Sequence, residues 1–155
     1  MKKQQMDLLL WRHAEAEDDY PDASRHLTSR GQQQAKRMAD WLRSRAPENL
    51  RIAVSPTERT LETVAPFCRD YEVMHEIGTD TSEERLLSAI GWPDAGGAVL
   101  IVGHQPTLGN IAADLLDADA PLMIKKGALW WFSHRSYEDG TTETVLKAVI
   151  PPSLT

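Results

Sequence analysis

A three-layer α/β/α sandwich on a mostly parallel central sheet is the fold this sequence predicts, and two observations carry the prediction. Short apolar runs recur along the chain and alternate with amphipathic segments of helical period, the pattern of parallel strands joined by crossover helices. The strongest runs also break off in polar residues, at the strand end where open α/β sheets keep their ligands. A chain of 155 residues fits one domain, 1–155, large enough to bury roughly two-thirds of its unfolded surface without staples.

The first strand is Asp7-Leu8-Leu9-Leu10-Trp11-Arg12-His13, an apolar run of the length of a strand buried on both faces, closed by an arginine and a histidine. A polar, acidic loop of twelve residues comes next, Glu15 to His26, carrying Pro21; connections of this length often have a function. From Thr28 the pattern turns helical, with Ala35, Met38, Ala39 and Leu42 at three- and four-residue spacing until Pro47. Leu50 to Val54 reads as a second strand. Ser55-Pro56-Thr57-Glu58 then predicts a helix start, with Ser55 as cap, Pro56 in the first helical position and Glu58 completing a capping box. Arg59 falls in the first turn of that helix, which is expected to run to about Asp70 with Leu61, Val64, Ala65 and Cys68 on one face and a bend at Pro66.

Further along, Tyr71 to His75 is a weaker strand, and Ser82 to Ile90 a helix capped from Thr81 or Ser82. Gly96-Gly97 precedes Ala98-Val99-Leu100-Ile101-Val102, the strongest β signal, which ends in Gly103-His104. A helix is expected from Thr107 to Leu116. Gly127 to Ser133 and Thr144 to Ile150, around a turn at Glu138-Asp139-Gly140, read as a hairpin that completes the sheet, and Pro151-Pro152 ends it.

Composition narrows the function classes. With 17 Lys+Arg against 23 Asp+Glu the formal charge is -6, which disfavours a nucleic-acid partner and requires any positive site to be local. Cys68 is the single cysteine, so no intrachain disulfide framework or cysteine-rich zinc site exists, which suits a reducing compartment. The N-terminal apolar run meets Arg12 too early for a signal peptide, and no run approaches a membrane span. The expectation is a cytoplasmic protein with neither nucleic-acid nor membrane partners. His26, His75, His134 and the five tryptophans are expected in structural or surface roles, and Lys125 and Lys126 in a solvated turn.

Three strands then end at one sheet edge with Arg12-His13, with Ser55 leading to Arg59, and with Gly103-His104. A single histidine at a strand end is more often a cap or a surface group, but a converging pair reverses that reading. Helix N-termini present unpaired amides and the positive end of the dipole, and arginine adds bidentate geometry for phosphate oxygens. A metal hydrolase using His13, Glu15 and His104 is a weaker reading of the same residues.

The motifs themselves resemble the histidine phosphatase superfamily, the phosphoglycerate-mutase-like fold, and within it the small SixA-type phosphohistidine phosphatases. Leu9-Leu10-Trp11-Arg12-His13-Ala14-Glu15-Ala16 resembles the opening Arg-His-Gly motif in its SixA-like form, and Arg25-His26-Leu27-Thr28-Ser29-Arg30-Gly31 the Arg-Pro-Leu-Thr-x-x-Gly segment. Val54-Ser55-Pro56-Thr57-Glu58-Arg59-Thr60-Leu61-Glu62-Thr63 is similar to the Ser-Pro-x-x-Arg-x-x-x-Thr helix start, and Val102-Gly103-His104-Gln105-Pro106 to the second-histidine motif. Ala14 stands where the superfamily usually has glycine, and His26 where the loop motif has proline.

This resemblance implies that His13 is the nucleophile that becomes phosphorylated, while Arg12, Arg59 and His104 hold the phosphoryl oxygens with Arg25 assisting; no metal or cofactor is implied. Larger members place a general-acid carboxylate after a later strand, and Glu76, Asp80, Glu83 and Glu84 lie in the corresponding region with no motif to choose among them. An alkoxide leaving group wants such an acid, whereas the imidazole of phosphohistidine leaves more readily. Members selecting small metabolites resemble one another in long insertions that roof the site; here the loop from Glu15 to His26 is the main candidate roof. The function expected is a metal-independent phosphatase acting on a phosphohistidine-bearing protein. The alternatives are a small-molecule phosphomonoesterase on the same scaffold and a phosphoprotein-binding module without turnover.

Overall fold

Side-chain alternation along the first strand decides the architecture. The computed structural model describes residues 1–155. Its strands are β1 (Lys2–Arg12), β2 (Arg51–Val54), β3 (Glu72–Val73), β4 (Gly97–Gly103), β5 (Leu129–Tyr137) and β6 (Thr142–Ile150), and its helices α1 (Ser29–Arg45), α2 (Glu58–Val64), α3 (Glu83–Ile90) and α4 (Thr107–Leu115). Leu8 and Leu10 of β1 pack with Val99 and Ile101 of β4 against Leu86 and Ile90 of α3 and Leu108 and Ile111 of α4. Leu9 and Trp11 point the other way and join Leu100 and Val102, Met38 and Leu42 of α1, and Val64 of α2. Both faces of the sheet are therefore covered, which is why these strands read as unbroken apolar runs. Each fully buried leucine contributes roughly 1.5–3 kcal/mol.

The six strands lie in the order β3-β2-β4-β1-β5-β6. β1 pairs parallel with β4, and β2 parallel with both β4 and β3; β5 runs antiparallel to β1 and to β6. This is the mostly parallel α/β/α sandwich expected. Asp7, buried on β1, accepts from Trp131 Nε1 at 3.0 Å and Ser133 Oγ at 2.7 Å, and so ties β1 to β5 in one register. No helix is long and apolar enough to cross a membrane.

α1 begins as predicted, with Thr28 Oγ1 accepting from the Gly31 amide at 2.9 Å. A Cβ on Gly31 would stand 2.0 Å from the Glu15 carbonyl oxygen, so only glycine lets the loop that leaves β1 lie against this helix. α3 is capped by Ser82, whose Oγ accepts from Arg85 N.

α2 departs from expectation at both ends. Ser55 does not cap it: its amide still donates to Val102 O in register with the sheet, and the helix starts only at Glu58, after Thr57, which makes no side-chain capping bond. Beyond Val64 the chain leaves the helix, because Pro66 has no N–H to continue the ladder, and turns held by Phe67 N and Cys68 N on Val64 O replace it. Cys68 therefore lies outside the helix, its Sγ accepting from Asp70 N. The segment from Tyr71 to His75 yields only two paired residues, Glu72 and Val73, before the 3-10 turn His75–Ile77.

Candidate active site

Parallel register brings three strand ends to one level. Arg12 lies opposite Gly103 and Val54 opposite Val102. Beyond these pairs, His13 N donates to Gly103 O at 3.0 Å and Ser55 N to Val102 O at 3.1 Å. His13 and Ser55 are thus fixed by the sheet ladder rather than by loops, and His104 follows directly on Gly103, the last residue of β4.

His13 is 6% exposed, and its Nδ1 lies 2.7 Å from Ala14 O. A carbonyl only accepts, so Nδ1 carries the proton and Nε2 keeps its lone pair. Burial first, then the charges of Arg59, Arg12 and Arg25, push the imidazole down to about 4, against the opposing pull of the Ala14 carbonyl. The ring is therefore neutral at physiological pH. The peptide that supplies this carbonyl is itself held: Ala14 N donates to Thr63 Oγ1 at 3.0 Å, and Thr63 Oγ1 donates to Arg59 O at 2.7 Å.

The His104 ring centroid is 5.4 Å from that of His13, and its Nε2 lies 2.7 Å from Ser55 Oγ. Burial, then His13, Arg59 and Arg12, push it down to about 3. Arg12 Nη1 donates to Ile124 O at 2.9 Å. The Arg59 side chain is 4% exposed and donates through Nη1 to Asp22 O at 2.8 Å and through Nη2 to Asp22 Oδ2 at 3.0 Å.

Three buried side-chain polar atoms have no hydrogen-bond partner in the chain: Arg12 Nε, Arg59 Nε and His104 Nδ1. All three belong to this site. An unpaired buried donor costs on the order of 1–3 kcal/mol, and a phosphoryl group offers the several acceptor oxygens that would repay three at once.

The structure thus gathers Arg12, His13, Arg59 and His104. Arg25 is turned to the loop: its Nε donates to Glu17 O at 2.8 Å and its Nη1 to Asp22 Oδ1 at 3.3 Å, so it reaches the site through Asp22 and through its charge on His13. Asp22 was not foreseen. Burial raises its carboxyl, but bonds and charge from Arg59 and then Arg25 outweigh it and hold the group below its usual range. Ser55 and Thr63 were also missed as site residues. The spacing of Arg59 and Thr63, one helical turn, was the available signal for Thr63.

None of the four acidic candidates bonds to the quartet, whose side-chain partners are Ala14, Ser55, Ile124, Met123 and Asp22. Glu76 and Asp80 belong to the turns after β3, and Ile77 of that segment packs on Gly103. Glu83 is pushed up to about 7, chiefly by a hydrogen bond with Asp114, in the last turn of α4 and away from His104, which precedes its first. Glu84 is exposed on α3.

No trio of metal ligands forms from His13, Glu15 and His104. Glu15 lies 3.7 Å from Arg30, and the one set of three ligand-type side chains within mutual reach is His26, Glu58 and Glu62 on the surface. His75 is exposed, and His134 Nδ1 lies 2.9 Å from Thr144 Oγ1 on the neighbouring strand.

The chain is similar to known proteins in both sequence and fold. The model of the histidine phosphatase superfamily (branch 1) matches residues 8–83. Phosphohistidine phosphatase SixA of Escherichia coli (strain K12) is 32% identical over 134 residues, 80% of this chain and 83% of that protein. This chain belongs to the histidine phosphatase superfamily. Membership together with the likeness to SixA makes it a phosphatase. The superfamily fold is seen again in the protein histidine phosphatase SixA solved with tungstate, which is 24% identical with a TM-score of 0.78 over 96% of this chain and 98% of that one. Phosphoserine phosphatase from Entamoeba histolytica, solved with 3-phosphoglyceric acid, shares the fold at 16% identity and a TM-score of 0.67 over 93% and 96% of the two chains.

Proposed function

We propose that this histidine phosphatase removes the phosphoryl group from phosphohistidine in a partner protein by way of phosphorylated His13. Nε2 of neutral His13 attacks phosphorus, and a new N–P bond forms as the bond to the partner's imidazole breaks. The departing ring, protonated from solvent at its other nitrogen, leaves neutral. Arg12 Nε, Arg59 Nε and His104 Nδ1–H meet the charge spread over the equatorial oxygens, with Ser55 Oγ–H donating to His104 Nε2 to hold that tautomer. Water then attacks phospho-His13, releases inorganic phosphate and returns the imidazole.

The observation that carries this reading is the state of Asp22, the one carboxylate bonded to the quartet. Arg59 and Arg25 keep it ionised, so it has no proton to give. An alkoxide leaving group needs such a donor, and phosphohistidine does not. Similarity to a phosphohistidine phosphatase supports the same substrate class.

Purified enzyme assayed on a phosphohistidine-bearing protein and on sugar phosphates, phosphoglycerates and nucleotides tests this. The expected result is the highest kcat/KM for the protein, and acid-labile phosphate on wild type that disappears in His13→Ala. Turnover of one small phosphoester near ~10^4 M⁻¹s⁻¹, in the ordinary enzymic range, with the phosphoprotein untouched, would replace this reading with a phosphomonoesterase.

A further inference from the structure

The chain carries formal charge -6, yet five cationic side chains gather in one groove beside the site. Arg30 and Arg37 come from one face of α1, Lys125 and Lys126 from the turn before β5, and Arg12 from the end of β1; Glu15 is the only carboxylate in the lining. The groove has a volume of about 630 Å³, and the C-terminal residues Pro151, Pro152 and Ser153 close one side.

This cationic cluster is not consumed by internal pairing. Glu15 answers Arg30 at 3.7 Å, whereas Arg37, Lys125 and Lys126 are exposed and enter no ion pair. The turn is nonetheless fixed in place. Gly127 N donates to the carbonyls of Arg12 and His13, and Gly127 adopts φ 74° with the position of a Cβ 2.9 Å from Pro152. Like charges are thus held together by a scaffold built directly on the backbone of the catalytic pair, a local positive potential that draws an anion. The groove also has a direction. It starts at Arg12, within the phosphate site, and passes Arg30 and Arg37, which are seven residues and about 10 Å apart along α1. About three residues of extended chain cover that length.

We infer that this groove docks an acidic segment next to the phosphohistidine of the partner protein. The inference rests on the function proposed above and deepens it, because it names the charge of the substrate's flank. Opposite potentials steer encounter and fix register while leaving the chemical step alone.

Two synthetic peptides decide it, each with one phosphohistidine, one flanked by Asp and Glu and the other by Ser and Gln. At low ionic strength the wild type should cleave the acidic peptide with kcat/KM about ten-fold above the neutral one, a preference that salt erases. In the double variant Arg37→Glu/Lys126→Glu the preference should vanish while the neutral peptide is cleaved as by wild type, which also shows that the variant is folded. Equal rates on both peptides with wild type, or a preference that survives in the variant, overturns the docking. Cleavage of neither peptide by wild type sinks the proposed function instead, and fluorescence anisotropy with the unphosphorylated acidic peptide then decides the groove. Binding lost in the variant upholds it, and equal or absent binding removes it.

Discussion

Replacing Thr63 by valine keeps nearly the same volume in a site with no solvent exposure but deletes the hydroxyl, so its effect is one of hydrogen bonding rather than packing. The hydroxyl is the acceptor for Ala14 N, and nothing else bonds that amide. Leaving a buried N–H unpaired costs about 1–3 kcal/mol, which for a chain of this size lowers Tm by roughly 2–4 °C per kcal/mol. Activity should fall as well, because the carbonyl of the same residue holds His13 Nδ1 and thereby the tautomer. A misplaced peptide here loosens the attack geometry, where an error of about 1 Å can cost 10²-fold; a loss of about ten-fold or more in kcat is expected on a generic phosphoester. Thr63→Ser restores the hydroxyl without the methyl and should regain activity while remaining less stable. Thermal melts and steady-state kinetics on the two variants give the comparison. If the valine variant matches wild type in both, Thr63 does not hold the Ala14 peptide; if it loses stability but keeps kcat, its role is confined to the fold.

Three further outcomes are expected. His13 and His104 have folded values of about 4 and about 3, below the unfolded 6.5, so the unfolded chain binds protons that the fold excludes. Stability therefore declines as pH falls from about 6.5 toward 4, by on the order of 2 kcal/mol per histidine at pH 5; urea unfolding at pH 7.5 and 5 measures it, and a flat profile would refute the buried neutral pair. Ser55→Ala should free His104 to change tautomer and lower kcat/KM about ten-fold, with the ring nitrogen shifts in 15N NMR as the check; unchanged shifts would show that Ser55 does not set the tautomer. Arg59→Ala removes a preorganised donor and should cost kcat about 10²–10³-fold, so kinetics within a few-fold of wild type would place Arg59 outside the reaction.

The histidines and Arg12 were legible because parallel strands announce themselves as apolar runs, and the polar residues that close such a run must sit at the sheet edge. Leu8 to Trp11 and Val99 to Val102 did that for His13 and His104. Arg59 was legible as part of a motif rather than from periodicity. Ser55 was misread for a physical reason: Ser-Pro-x-Glu satisfies every local rule of a capping box, and the competitor for its hydroxyl, His104, lies 49 positions away. The end of α2 failed similarly. Pro66 was expected to bend a helix that in fact stops at Val64, where turns from Phe67 N and Cys68 N onto Val64 O take over from the ladder. Asp22 left no trace, because an aspartate in an acidic loop carries no pattern and its role exists only once the loop folds back on Arg59.

That fold-back bears on how turnover ends. Arg59 is nearly sealed from solvent, and a buried cation stripped of its counterion is unfavourable by several kcal/mol. Asp22 fills Nη1 with its main-chain carbonyl and Nη2 with its carboxylate and leaves Nε free, so a phosphoryl oxygen on Nε meets a cation already answered in part by a tethered carboxylate. As the product departs, that carboxylate is still in place on Nη2. The loop from Glu15 to His26 thus holds a countercharge on Arg59 whether or not the site is filled, so the cation that meets the phosphoryl group is never left unanswered in the empty enzyme.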